Sequence, residues 1–109
     1  SKFADIIWNN EPLRPVELEK LAEAELNWKR TTTLTILKRL CERGIFQNKD
    51  RIITSLISRE EFYALQSEKF VNDTFEGSLP AFLTAFGSRK KLSDKEVEEL
   101  KKVIDSMRR

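Results

Sequence analysis

The segment between residues 29 and 57 constrains the fold most, because its apolar pattern changes from helical to strand-like at a glycine. A helix is predicted from about Lys29 to Arg43, with these residues on its inward side: Thr33, Ile36, Leu37, Leu40 and Cys41. Gly44 suits a left-handed cap at its end. Two β-rich segments follow, Ile45–Gln47 and Ile52–Ile57, and the polar residues between them predict a hairpin.

Two further helices are predicted ahead of this segment. Phe3, Ile6 and Ile7 have helical spacing within residues 2–10, and prolines at positions 12 and 15 predict a turn. A second apolar stripe then contains Leu18, Leu21, Ala22 and Leu26. Helix, turn and helix followed by a hairpin predict a winged helix-turn-helix domain over residues 1–57, in which the hairpin is the wing.

The rest of the chain, residues 58–109, predicts three helices. Ser58 and Ser93 are each followed three residues later by a glutamate, which is the capping-box pattern of a helix start. Gly77 and Gly87 separate these helices. The expected fold is therefore mostly α with a small β-hairpin wing: a winged helix-turn-helix followed by a three-helix dimerisation region.

Composition excludes several classes of protein. Charged residues make up 35% of the 109 residues against 39% hydrophobic, which favours a globular domain over a disordered or membrane-spanning chain. The absence of a secretory-signal pattern and the single cysteine favour the cytoplasm. Because histidine is absent and no metal-ligand cluster is present, we expect no enzymatic activity, no cofactor and no metal.

Charge is distributed unevenly although the net charge is only +2. The segment from Trp28 to Arg43 has a net charge of +4, whereas Val16 to Glu25 has −3. The last 52 residues contain ten basic and ten acidic side chains. A basic helix beside an acidic one suits an element that faces nucleic acid, although a solvated helix surface is the commoner explanation of such a run.

The run W-K-R-T-T-T-L-T-I-L-K-R-L-C-E-R-G, from Trp28 to Gly44, resembles the recognition-helix signature of the penicillinase repressor family. The likeness continues through Ser58–Phe62, Phe70–Leu79 and Leu92–Leu100. The resemblance implies a winged-helix DNA-binding domain, interlocked dimerisation helices, and repression of genes for antibiotic resistance or metal handling. The wing looks about four residues shorter than is usual in the family.

The predicted third helix has a face suited to the major groove, formed by Thr31, Leu34, Thr35 and Lys38. Contacts to DNA phosphates are expected from residues beside that face and on the wing: Lys29, Arg30, Thr32, Arg39, Lys49 and Arg51. Three residues of this segment also have structural explanations that involve no DNA contact. Arg39 could pair with Glu42, Trp28 more often packs between elements in such a position, and Cys41 is expected to be a small buried hydrophobe.

Apolar residues of the second half exceed what short helices can hide, so we expect a homodimer rather than a ligand pocket. The expected dimerisation residues are Phe62, Phe70, Phe75, Leu79, Phe82, Leu83, Phe86, Leu100, Val103, Ile104 and Met107. In the resistance-controlling branch of the family a sensor-linked protease cuts before a phenylalanine, and the matching bond is Ala85–Phe86.

The sequence thus predicts a transcriptional repressor that binds a pseudo-palindromic operator in double-stranded DNA as a homodimer and regulates β-lactamase-type or related genes. The alternative is a winged-helix module that binds protein without reading DNA sequence, because the fold alone does not decide between them.

Overall fold

The computed structural model describes residues 1–109 and contains six helices and one hairpin. The elements in chain order are α1 Lys2–Asn10, α2 Pro15–Leu26, α3 Arg30–Glu42, β1 Phe46–Lys49, β2 Ile52–Ser55, α4 Arg59–Phe75, α5 Leu79–Gly87 and α6 Asp94–Ser106. This order confirms the predicted fold class, a mostly helical chain with a winged helix-turn-helix ahead of further helices. No helix in the chain combines the length and the apolar composition that crossing a membrane requires.

The first compact unit, Ser1–Gln66, contains the whole hydrophobic core of fully buried side chains. It is formed by one face each of α1, α2 and α3, together with the hairpin and the first turn of α4. The largest fully buried side chains are Phe3, Phe46, Phe62, Ile7, Leu18, Ile53 and Thr33. The core therefore fixes α3 on the body of the domain through its inward residues.

The hairpin is tied to the chain ahead of α2. Leu13 and Ile53 form an antiparallel bridge, in which the Ile53 amide donates to the Leu13 carbonyl at 2.8 Å. The Glu11 carboxylate accepts hydrogen bonds of 2.9 Å from both the amide and the hydroxyl of Ser55. These contacts hold the base of the wing against the start of α2.

Aromatic packing joins α4 to α1 in the same unit. The Trp8 ring lies 5.0 Å from Phe46 and 5.3 Å from Phe62, between centroids, and its indole nitrogen donates to the Ile57 carbonyl at 3.1 Å. Arg59 forms an ion pair with Asp5 at 3.2 Å. The start of α4 is thus part of the winged-helix core.

The second compact unit, Ser67–Arg109, includes the end of α4 with α5 and α6, and neither α5 nor α6 has a buried residue. Phe70, Phe75 and Phe82 form a cluster of edge-on ring contacts 5.6 to 6.1 Å apart. Ser93 and Glu96 cap α6 reciprocally, as the sequence predicted. The helices of this unit form, but they leave their apolar side chains largely exposed.

Candidate nucleic-acid interface

Helix α3 presents two different faces. Thr33, Leu37 and Leu40 are buried, and the Thr33 hydroxyl donates to the Lys29 carbonyl at 3.2 Å, which satisfies the one buried polar side chain of the core. On the other side Thr31, Thr35 and Lys38 are exposed and Leu34 is half-buried. The predicted reading face therefore lies together on the surface of α3.

The entry into α3 is fixed by packing rather than by a side-chain cap. Trp28 stacks on Phe3 with ring centroids 4.9 Å apart, so its structural role is as predicted. Lys29 is the N-cap and makes no side-chain capping hydrogen bond. Asn27, in the left-handed conformation, instead ends α2. The first amides of α3 therefore remain free to bind an external acceptor.

The basic residues around α3 differ in how they are held. The Arg30 Nε donates to Glu19 of α2 at 2.9 Å, and Lys38 lies 4.0 Å from Glu42. Arg39 forms no ion pair, because Glu42, its alternative partner, lies beside Lys38 instead. Lys29, Thr32 and Arg39 are exposed beside the reading face.

The wing is a complete but short hairpin. Lys49 pairs with Ile52, so only Asp50 and Arg51 connect the two strands. Both have positive φ angles, 54° and 62°, as a type I′ turn requires. Lys49 and Arg51 therefore lie at the exposed tip, and the sequence needs no further residues to close the turn.

A shallow cleft of about 530 Å³, which no sequence pattern predicts, lies beside this tip. It is lined by Arg14, Pro15, Val16, Glu19, Arg30 and Arg51. The structure thus adds Arg14, the N-cap residue of α2, to the basic side chains near α3. Its position in a proline turn was visible in the sequence, but its nearness to Arg51 depends on the bridge between Leu13 and Ile53.

The predicted dimerisation residues fall into two groups. Phe62 is only 2% exposed and packs on Trp8, so its ring is already covered within the first unit. This corrects its assignment to an interface between chains. The remaining residues are exposed or half-buried in the second unit, among them Phe70, Phe86, Val103 and Met107.

Helices α5 and α6 border an apolar cleft of about 530 Å³. Its lining includes Phe82, Leu83, Phe86, Leu92, Leu100 and Val103. Ala85 and Phe86 lie inside α5 and are exposed. The bond between them is therefore accessible, although a protease would have to unwind the last turn of the helix to bind it in extended form.

Cys41 is half-buried on α3, and burial together with the Glu42 charge raises the pKa of its thiol. This favours the neutral thiol, which is consistent with a packing role. The chain contains no group of three or more Cys, Asp or Glu side chains that could hold a metal ion together.

Comparisons with known proteins agree with this architecture. The penicillinase repressor family matches residues 1–106. The methicillin resistance regulatory protein MecI of Staphylococcus aureus strain Mu50 is 25% identical over 108 residues, covering 95% of this chain and 88% of that protein. The penicillinase repressor of Bacillus licheniformis is 23% identical over 104 residues, covering 92% and 81%. MecI of Mammaliicoccus sciuri is 25% identical over 105 residues, covering 93% and 85%. The match over nearly the entire chain confirms the resemblance read from the recognition-helix motif, and the chain belongs to the penicillinase repressor family.

Proposed function

We propose that this chain is a cytoplasmic transcriptional repressor and not an enzyme. As a homodimer it binds a pseudo-palindromic operator that controls antibiotic-resistance genes of the β-lactamase type or related genes. The observation that carries the proposal is the outward face of α3, where Thr31, Thr35 and Lys38 are exposed while the opposite face is locked in the core. A helix held in this way can enter the major groove without losing its own packing.

The side chains of this face suit different contacts. The Thr35 hydroxyl can bond a base edge and its methyl can meet a thymine methyl, whereas Leu34 offers only apolar contact. Lys29, Thr32 and Arg39 flank the face and are suited to phosphates, which fix the position of the helix without reading sequence. Lys49 of the wing is exposed and is suited to a further phosphate. The surface thus combines readout and positioning groups.

Dimerisation is supported by the second unit. Val103 of α6 is 53% exposed, Met107 at the C-cap of α6 is 62% exposed, and Phe86 of α5 is 46% exposed. Leaving this apolar surface in water is unfavourable, and a second copy of the chain offers the same surface for two-fold pairing. Two paired chains would place their α3 helices on successive major grooves.

The experiment that tests the proposal is selection of bound fragments from the source genome, followed by footprinting. We expect two protected half-sites related by a dyad, with centres about 34 Å apart or a multiple of that spacing. A single unpaired site, or no enriched sequence, would contradict the proposal. The second outcome would favour a protein-binding winged helix instead.

Release of repression by a sensor-linked protease is a further part of the proposal. A cut between Ala85 and Phe86 would separate α6 from the winged-helix domain and divide the apolar surface of the second unit. Since two linked half-sites bind much more tightly than either domain alone, loss of pairing would release the operator.

A further inference from the structure

We infer that the cleft between the wing tip and the start of α2 binds one phosphate group of the DNA backbone, with Arg14 and Arg51 as its main ligands. This rests on the proposed operator binding and assigns a defined site within it. Arg14 is exposed on the surface and has no salt bridge in the chain. It lies outside the recognition-helix motif.

The charge of the cleft is the first argument. Three arginines from three separate elements line it against one carboxylate, that of Glu19. Glu19 is engaged by Arg30, which uses only its Nε at 2.9 Å. The four terminal N–H donors of the Arg30 guanidinium remain, and the side chains of Arg14 and Arg51 form no ion pair, although the Arg14 amide donates to Glu17 at 3.0 Å. The cleft therefore carries excess positive charge with many unused donors, which suits a phosphate.

The backbone of the wing is the second argument. Arg51 has a φ of 62°, a left-handed conformation in which its β-carbon is disfavoured and glycine would be the usual choice. The turn places Arg51 beside Pro15 and Val16, the first residues of α2, rather than extending it away from the domain. An arginine kept at a strained position and directed to one site favours a binding role for its side chain.

The surroundings of the cleft identify the source of the phosphate. Arg30 belongs both to the cleft and to the first turn of α3, directly ahead of Thr31 on the reading face. A phosphate in the cleft is therefore adjacent to any DNA whose major groove holds α3. Glu19 acts as a positioning residue, because its ion pair holds Arg30 between the cleft and the reading face of α3.

This placement has a consequence for specificity. If Arg51 at the wing tip binds a backbone phosphate in this cleft, its side chain is not available to distinguish A·T from G·C pairs in the minor groove. We expect the bases beneath the wing to contribute little to operator choice, so that sequence reading depends on α3.

The test uses the full-length chain, its selected operator and fluorescence anisotropy titrations over a range of salt concentrations. Arg14→Ala and Arg51→Gly should each weaken binding on the order of tenfold and reduce the salt slope by about one per protomer. Arg89→Ala, an exposed arginine of the second unit, is the matched control and should change neither. Glycine accepts the turn geometry at position 51, so thermal unfolding of Arg51→Gly should match the parent.

A second readout identifies the ligand. In this experiment one backbone phosphate at a time is replaced by a neutral methylphosphonate. We expect one position per half-site at which the replacement weakens binding by the parent. At that position the replacement should not further weaken binding by Arg14→Ala or Arg51→Gly, because these variants already lack a ligand of the phosphate. Parental affinity and slope in both variants, with operator preference intact, would overturn the cleft alone. A strong A·T preference beneath the wing that Arg51→Gly abolishes would also overturn it. A parent without any operator preference would instead contradict the proposed function.

Discussion

Trp28 stacks on Phe3 with ring centroids 4.9 Å apart and planes inclined by 30°, so the residue just ahead of α3 is anchored to α1. Since no side chain caps the start of α3, this stack is what fixes the direction in which the helix leaves the preceding turn. The position of the reading face therefore depends on a contact between α1 and the residue ahead of α3.

Replacing Trp28 by alanine should lower the free energy of unfolding by about 2 to 4 kcal/mol, because a large ring is lost from a half-buried site beside Phe3. Trp28→Phe retains an aromatic partner and should lose less. Urea unfolding followed by circular dichroism measures both. An alanine variant as stable as the parent would show that the stack does not hold α3.

Thr35→Ala should weaken operator binding by about 1 to 3 kcal/mol and leave binding to unrelated DNA nearly unchanged, because the contact proposed for Thr35 is to a base edge. Lys38→Ala should instead act mainly through charge and weaken binding to both. Anisotropy titrations with operator and scrambled duplexes separate the two effects. If both variants bind the operator as the parent does, the reading face has been assigned wrongly.

Leu100→Asp should dissociate the proposed dimer, because Leu100 lines the apolar cleft bordered by α5 and α6. Phe82→Asp should have the same effect. The matched control is Leu56→Asp, which changes a 52% exposed leucine in the first unit and should leave the assembly intact. Light scattering at roughly tens of micromolar gives the mass directly. A monomeric parent would contradict the proposed dimer.

Treating the source cells with a β-lactam should produce a fragment that ends at Ala85, if a sensor-linked protease relieves repression. Mass spectrometry of the chain before and after induction identifies the cut, with uninduced cells as the control. An intact chain while the regulated genes are transcribed would show that release occurs by another route, through a diffusible ligand or a partner.

Helical periodicity was sufficient to predict α3 and its inward residues, because Thr33, Leu37 and Leu40 recur at the spacing of one buried stripe. Gly44 was a reliable stop signal, since its φ of 78° is one that glycine adopts easily. The lengths of the strands were less predictable, because hairpin ends depend on the turn that joins them.

Other features could not be read from one sequence. The same periodicity places Phe62 on an apolar face, but only the packed structure shows that Trp8 covers it within the chain. The pairing of Arg30 with Glu19 and the nearness of Arg14 to Arg51 join residues far apart in sequence. Long charged side chains reach several partners, so tertiary contacts decide which one is used.

The most direct test of the central claim is the salt dependence of binding to the selected operator and to a scrambled duplex of equal length. The account predicts that the operator is preferred at every salt concentration and that affinity falls on the order of a thousandfold between about 50 and 200 mM salt, because several phosphates are neutralised. Equal, weak binding to both duplexes with a shallow salt dependence would contradict it and indicate a winged helix that binds protein.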